Sequence, residues 1–207
     1  MDFRLHCNRT MCIVGPSHSG KTTFTLELLD RRNEIFDCQP NRVIWCYGIY
    51  QHELNSILAS KGYEVHAGII PVSKVQPYDI LVFDDLLKES KDSKDVTDMF
   101  TKTAHHKPCF IIFIMQNLFP PGKESRTRAL NTQYYIIFKN PRDKSQFEIL
   151  ARQILPRKSK GLIELFESVT QKPHNFLFID LTQECPDEYR YRSNIFGKPM
   201  YTYKLLN

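Results

Sequence analysis

Residues 11–22 read Met-Cys-Ile-Val-Gly-Pro-Ser-His-Ser-Gly-Lys-Thr, an apolar run that leads directly into a loop of the pattern Gly-x-x-x-x-Gly-Lys-Thr. This is the pattern of a phosphate-binding loop, whose backbone N–H groups surround a phosphate. Residues 22–30 follow with Phe24, Leu28 and Leu29 and contain neither Gly nor Pro. They predict a helix whose N-terminal amides face the loop. Strand, loop and helix therefore stand in the order that such an anion site requires.

The loop pattern also predicts which side chains contact a nucleotide. Lys21 can reach the β- and γ-phosphate oxygens of a triphosphate, and the Thr22 hydroxyl can bind Mg²⁺. His18 occupies a variable position of the loop, and we interpret it as a spacer that faces solvent. The candidate nucleotide-binding residues are Gly15, Pro16, Ser17, His18, Ser19, Gly20, Lys21, Thr22 and Thr23.

Two adjacent acids end a second apolar run, Ile-Leu-Val-Phe-Asp-Asp at residues 80–85. A magnesium site needs an acid at the carboxyl end of a strand beside the loop, and Asp84 is the candidate metal partner together with Thr22. Asp85 is the candidate catalytic base, which would orient or deprotonate the attacking water. The alternative is that the acid pair only ends a strand in a turn.

Gln116 follows residues 110–115, which are apolar at every position and therefore predict a strand covered on both faces. At the end of such a strand an amide can hydrogen-bond the γ-phosphate or the attacking water, although a turn residue would look the same. Three arginines follow in later connections. An arginine from a neighbouring subunit can neutralise charge on the γ-phosphoryl group, and the sequence leaves open which of the three, if any, does so: Arg126, Arg128 or Arg142.

Strands and helices alternate along the rest of the chain. This predicts a three-layer α/β P-loop NTPase fold of the RecA/ASCE type, with a central, mainly parallel sheet in one domain spanning residues 1–207. Residues 185–207 are predicted to form a hairpin or an arm that packs on a neighbour. Further strands are predicted at residues 42–48, 63–70, 79–83, 134–138 and 176–181. Helices are predicted at residues 51–60, 143–155 and 161–171, and a further helix follows the polar stretch 88–95 and ends at about residue 103.

Composition narrows the class of protein only moderately. The chain has 207 residues, of which 42% are hydrophobic and 25% charged, and its formal net charge of +5 is compatible with nucleic acid without establishing it. No apolar stretch approaches the roughly 20 residues of a membrane span, and the first residues lack the apolar region of a secretory signal, so we expect an intracellular protein.

The cysteines predict neither disulfides nor a metal site. Cys12, Cys46 and Cys109 lie in predicted buried strands, and the sequence has no Cys-x-x-Cys pair, so we expect reduced core thiols. His105 and His106 precede Cys109 but lack a fourth ligand at a suitable spacing, which argues against zinc.

Four segments together resemble the viral genome-packaging ATPases of the FtsK/HerA superfamily, and in particular their poxvirus-like branch with the Polinton (Maverick) and adintovirus-type members. The segments are the loop, the strand end Phe-Asp-Asp-Leu at residues 83–86, Thr-Ala-His-His at residues 103–106, and Phe-Lys-Asn-Pro-Arg-Asp at residues 138–143. The likeness runs from about residue 11 to residue 181. The double histidine and the last segment make the resemblance specific to this family, because many P-loop proteins share the other two motifs.

The resemblance implies an ATP-driven translocase that assembles as a homo-oligomeric ring at a capsid vertex and threads double-stranded DNA into the capsid. ATP and Mg²⁺ would be held by Lys21, Thr22 and Asp84, and Gln116 would be the sensor of the γ-phosphate. Such a protein would work in the host nucleus or at a viral assembly site, or would travel with the virion. Asp85 departs from the family, in which Glu is common, and this leaves open how efficient hydrolysis is.

Three other functions are compatible with a phosphate-binding loop, and the sequence disfavours two of them. A nucleotide kinase would need an arginine-rich lid, and the sequence shows no compact one. A GTPase would need a base-recognition segment of the form Asn-Lys-x-Asp or Thr-Lys-x-Asp, which is absent from the sequence. A nucleotide-binding switch without turnover stays open. Residues 88–94 alternate in charge, which fits either a solvated loop or a DNA-facing pore loop.

Overall fold

A nine-stranded sheet runs through the part of the chain that the structure describes, which comprises residues 2–86, 107–119 and 129–205. The structure is a computed structural model. Its strands are β1 (Thr10–Val14), β2 (Val43–Tyr47), β3 (Glu64–Ala67), β4 (Ile80–Asp84), β5 (Phe110–Met115), β6 (Tyr134–Phe138), β7 (Phe176–Asp180), β8 (Tyr191–Ser193) and β9 (Tyr201–Tyr203).

Helices connect β1 to β2, β2 to β3, and β6 to β7. Among the described residues, no helix combines the length and the apolar composition that a membrane span needs. The helices are α1 (Lys21–Asp30), α2 (Arg32–Ile35), α3 (His52–Ser60), α4 (Ser145–Ile154) and α5 (Ser159–Val169), with short 3₁₀ turns at Val72–Lys74 and Asp187–Tyr189.

The order of strands across the sheet is β3-β2-β4-β5-β1-β6-β7-β8-β9. Neighbours from β3 to β6 are parallel, whereas β7, β8 and β9 are antiparallel to the strands beside them. The prediction of a mainly parallel central sheet is therefore confirmed. The antiparallel strands add to one side only, next to β6.

Both faces of the sheet are covered, because successive side chains of a strand point to opposite faces. In β1, Met11 and Ile13 pack in one core cluster with apolar side chains of α1 and α3. Cys12 and Val14 pack in the other cluster with apolar side chains of α4 and α5. The sheet thus lies between two layers of helices, as the three-layer prediction requires.

The position of each strand explains its composition. β5 lies between β4 and β1, and all six of its residues are buried, which accounts for its unbroken apolar sequence. β3 lies at the edge, and Glu64, Val65 and Ala67 are exposed there. A central strand must be apolar on both faces, whereas an edge strand with an open side does not have to be.

The last two strands form an antiparallel hairpin that extends the sheet beyond β7. Arg192 anchors it, because its guanidinium is buried, donates to a carboxylate oxygen of Asp180 at 2.9 Å, and lies 5.0 Å from the centre of the Phe178 ring. A buried guanidinium requires such a partner, so this pair holds β8 against β7.

The prediction about the cysteines is correct for three strand residues and wrong for another two. Cys12, Cys46 and Cys109 are buried and reduced, but Cys7 and Cys38 are joined as a disulfide. These two residues are 31 positions apart, and they meet because the segments that hold them run side by side in the fold. Spacing along the chain gives no sign of such a pair.

Candidate functional site

The loop connects β1 to α1 and has the tight geometry that its glycines predict. A methyl group at Gly15 would lie 2.7 Å from Cβ of Phe138 and equally close to Oγ of Ser19, so a larger residue does not fit. Gly20 precedes α1 with a φ of 104°, which favours glycine. The N–H of Ser19 donates to the carbonyl of Pro16 at 3.2 Å and closes a turn within the loop.

Lys21 is the first residue of α1, and its ammonium group reaches back across the loop. It donates to the carbonyls of Gly15 and Pro16, each at 2.8 Å. Burial lowers the pKa of Lys21, and the nearby carboxylates of Asp84 and Asp85 oppose this change. A half-buried ammonium is electrostatically suited to receive a phosphate, because charge attraction is stronger where water is partly excluded, and the two carboxylates call for a cation beside it.

The strand that ends in the two acids is not the immediate neighbour of the loop strand. We predicted an acid at the carboxyl end of a strand beside the loop, and Asp84 does end β4 on the wall of the same cleft as the loop, with β5 between β4 and β1. The end of β5 is hydrogen-bonded both to the acids and to the loop. The carbonyl of Ile114 accepts from the N–H of Asp85, and the carbonyl of Met115 accepts from the N–H of Gly15. Gln116 follows directly, between the loop and the acids.

Asp84 is a half-buried acid with an altered protonation equilibrium. Burial and the neighbouring charge of Asp85 raise its pKa to about 6, and the positive charge of Lys21 offsets part of this rise. A nearby cation would stabilise the ionised form of such a carboxylate, because it replaces part of the stabilisation that water gives to a carboxylate at the surface.

Asp85 and Gln116 are in contact. The side-chain amide of Gln116 donates to Oδ2 of Asp85 at 3.3 Å, and the backbone of Asp85 has a φ of 50°, in the left-handed region. Few residues other than glycine adopt this conformation without cost, and such residues are frequent at functional sites. The two polar side chains predicted from separate strand ends thus lie together.

The predicted arginines are only partly described. Arg126 and Arg128 lie outside the described residues, as do the His105–His106 pair and residues 88–94. Arg142 is exposed between β6 and α4, and its N–H donates to Oδ1 of Asn140 at 3.1 Å. Its side chain does not line the cleft beside the loop.

The loop residues and the acids line one open cleft of about 1080 Å³, which we call the loop cleft. Lys21, Thr22, Thr23, Asp84 and Gln116 contribute to its wall, and His18 lies at its rim with an exposed side chain and a φ of 62°. A second cavity of about 1020 Å³ lies elsewhere, beside Gln133 and Glu184, so size alone does not select the site. The loop cleft is selected by its chemistry.

The structure adds one group to the cleft that the sequence analysis missed. His174, in the turn before β7, donates from Nδ1 to the carbonyl of Ser19 at 3.1 Å, and its φ is 65°. Phe176 and Phe196 lie next to it, with ring centres 4.8 Å and 5.0 Å from that of Phe24 on α1. Only folding brings these residues to the loop, and no local motif marks them.

Comparison with known proteins supports the fold. The sequence matches no protein-family model and no curated protein. The structure resembles the genome-packaging NTPase B204 from Sulfolobus turreted icosahedral virus 2, solved in complex with ATPγS, with a TM-score of 0.56 and 12% sequence identity over 97% of this chain and 98% of that chain. It also matches a variant of Thermotoga maritima RuvB with a TM-score of 0.35 and 12% identity, covering 70% of this chain and 42% of that chain. The likeness to B204 shows that the chain has a mixed α/β P-loop NTPase fold.

Proposed function

We propose that this protein hydrolyses ATP and uses the energy to package double-stranded viral DNA into a capsid. One observation carries the proposal: the loop with Lys21, the acids Asp84 and Asp85, and Gln116 line a single cleft at the carboxyl ends of parallel strands. Ligands of open α/β sheets bind at this edge. A phosphate loop, a metal-binding acid, a base and an amide are the parts that phosphoryl transfer requires.

The residues of the cleft fit a triphosphate and its magnesium ion. Lys21 and the loop N–H groups would bind phosphate, and the Ser19 hydroxyl is buried without a hydrogen-bond partner among the described residues. The Thr22 hydroxyl and the Asp84 carboxylate would hold Mg²⁺, which prefers oxygen ligands. When bound, Mg²⁺ neutralises charge that develops on the phosphate oxygens.

The roles of Asp85 and Gln116 follow from their contact. By donating to Oδ2 of Asp85, the amide of Gln116 holds that carboxylate in one orientation at the cleft wall. Asp85 would then accept a proton from a water molecule, or orient it, and Gln116 would contact the same water or the γ-phosphate.

The packaging part of the proposal is supported by the likeness to B204, which is a genome-packaging NTPase and matches almost the whole of this chain. We further propose a homo-oligomeric ring that contacts double-stranded DNA and capsid or vertex proteins. An arginine of the adjacent subunit would complete each site, with Arg126, Arg128 and Arg142 as candidates. The protein would act in the host nucleus or at a viral assembly site, or would be carried in the virion.

The decisive measurement is the rate of phosphate release from ATP with and without duplex DNA, at several stated salt concentrations. We expect DNA to raise the rate and the effect to weaken steeply as salt increases, because contacts with the DNA backbone release counterions. The Lys21→Ala variant is the control for contaminating activity. A rate that DNA does not change at any salt concentration would contradict DNA translocation but not ATP hydrolysis.

Two other functions predict different results in the same assay. A nucleotide kinase transfers the γ-phosphate to a nucleoside monophosphate. With ATP labelled in its γ-phosphate, a labelled nucleoside diphosphate would then form when the monophosphate is added. A nucleotide-binding switch binds ATP tightly and releases almost no phosphate, which would follow if Asp85 is too short to activate water.

A mixing experiment tests whether neighbouring subunits share a site. Lys21→Ala subunits are mixed with subunits that carry Arg126→Ala, Arg128→Ala or Arg142→Ala. If the arginine acts across the interface, a mixture contains some complete sites and recovers part of the activity. No recovery in any mixture would indicate that each site is completed within one chain.

A further inference from the structure

A second group of reactive side chains lies before β1, on the far side of that strand from the loop. Cys7 is buried and is joined to Cys38, which follows α2. The two segments run side by side: the N–H of Leu5 donates to the carbonyl of Ile35 at 2.7 Å, and the N–H of Asp37 donates to the carbonyl of Leu5 at 3.0 Å. The backbone therefore holds the two sulfur atoms together independently of the bond between them.

A carboxylate and an imidazole flank the sulfur pair. Asp37 accepts from the backbone N–H of Cys7 at 3.0 Å through Oδ1, and its Oδ2 lies 2.6 Å from Nδ1 of His6. One oxygen of Asp37 and the sulfurs of Cys7 and Cys38 all lie within 4.8 Å of one another. The carboxylate therefore lies within reach of an ion that both sulfurs could bind.

The donor set is typical of one class of metal ion. Two thiolates and a carboxylate suit Zn²⁺, which accepts sulfur, nitrogen and oxygen ligands in tetrahedral geometry. Asp37 is exposed, so a fourth position is open to water. The contact between His6 and the Asp37 carboxylate is of the kind that orients a metal ligand from the outer shell.

We propose that Cys7, Asp37 and Cys38 bind Zn²⁺ when the disulfide is reduced, with His6 as a positioning residue. Reduction by a dithiol transfers two electrons and two protons to the sulfur pair and converts the dithiol to its own disulfide. Binding of Zn²⁺ then releases the two thiol protons to water, because thiolates are the ligands. In a reducing compartment, where disulfides do not persist, the metal ion would take over the cross-link.

The cross-link has a structural consequence that does not depend on the proposed ATPase activity. Residues 7–38 contain β1, the phosphate-binding loop and α1. A link between Cys7 and Cys38 therefore joins the two ends of the chain segment that carries this loop. Either a disulfide or a metal ion would restrict the unfolded chain at the same two points. We therefore expect Zn²⁺ to raise the melting temperature of the reduced protein.

The test is a titration of the reduced full-length protein with Co²⁺, followed by displacement with Zn²⁺. The protein is reduced with dithiothreitol and freed of it under anaerobic conditions. We expect one Co²⁺ per chain, with thiolate charge-transfer absorption in the near ultraviolet and the visible bands of a tetrahedral ion, both abolished by one equivalent of Zn²⁺. Absence of these bands in the reduced wild-type protein overturns the proposal and leaves the pair as a disulfide only.

Variants assign the ligands. Cys7→Ser and Cys38→Ser should each lose most of the charge-transfer absorption, whereas Cys185→Ser, which removes a buried free thiol elsewhere, should keep it. Asp37→Asn keeps both sulfurs and is expected to weaken Co²⁺ binding at least about tenfold. Unchanged Co²⁺ affinity in Asp37→Asn, or unchanged bands in Cys7→Ser, would assign the metal to other residues and overturn the site proposed here.

Discussion

The two ends of the loop cleft are built on different principles. At its phosphate end, Lys21, Asp84, Asp85 and Gln116 are polar groups that parallel strands and a helix start deliver to one edge of the sheet. At its aromatic end, the Phe24 ring packs edge to face with Phe176 and at a tilt with Phe196, and His174 also lines this end. The proposed chemistry lies at the first end, with groups that a sequence motif can mark, whereas the second end contacts the loop with groups that come mostly from distant segments.

The largest expected effect is at the phosphate end. Lys21→Ala should reduce phosphate release from ATP by about 1000-fold, because it removes the ammonium group that the loop offers to the β- and γ-phosphates. The measurement is the steady-state rate of phosphate release per subunit at saturating ATP. Lys61→Ala, which removes a surface ion pair with Asp30, is the matched control and should leave turnover unchanged. Equal turnover in both variants would show that the phosphate end is not where hydrolysis occurs.

Asp85→Asn should separate binding from chemistry. The amide keeps the shape of the side chain but cannot accept a proton, so we expect nearly unchanged ATP affinity and about a 100-fold loss of turnover. Affinity is measured with a fluorescent ATP analogue, and turnover by phosphate release. Asp143→Asn, between β6 and α4, is the control. Normal phosphate release in Asp85→Asn would place the base at another residue.

The environment of Asp84 predicts a pH-dependent cost to stability. Its folded-state pKa of about 6 exceeds the ordinary value of 3.8, so the folded protein holds this proton more tightly than the unfolded chain does. The contribution of Asp84 to stability is therefore greatest below about pH 4 and is lost as the pH rises to about 6. Above that pH, Asp84→Asn should be more stable than the wild type by up to about 3 kcal/mol.

Urea unfolding without nucleotide or magnesium, at several values between pH 4 and pH 8, measures this difference. The advantage of Asp84→Asn should shrink as the pH falls towards 4. Glu53→Gln, at an exposed acid of α3, should not show the trend. A stability difference that stays constant across the range would mean that the carboxyl is solvated in the folded protein.

The smallest expected effect is at the aromatic end. His174→Ala removes one hydrogen bond to the loop carbonyl of Ser19, which is worth about 1 kcal/mol. We expect about a fivefold rise in KM for ATP with little change in kcat, because the loop loses support but keeps its chemical groups. His66→Ala is the matched control, since its Nδ1 also contacts a backbone carbonyl, that of Gly68, away from the cleft. The same change in both variants would remove any special role for His174.

Some elements of the fold and the site were predictable from local sequence. Residues 110–115 are apolar throughout because β5 is covered on both faces, and the helix after the loop begins where the glycine pattern ends. The order of the strands was not predictable in this way. The structure places β5 between the strand of the acids and the strand of the loop, and local sequence does not show this because pairing across a sheet depends on contacts far apart in the chain.

By itself, the amino-acid sequence determined the loop that we propose as the phosphate site, because Gly15, Gly20, Lys21 and Thr22 set its backbone conformation and charge within one short segment. The tertiary structure alone decided what surrounds that segment. It placed Gln116 against Asp85, brought His174 to the loop, and paired Cys7 with Cys38. The physical reason is that these contacts join residues 31 to 155 positions apart, and only burial of the sheet between its two helical layers brings such residues together.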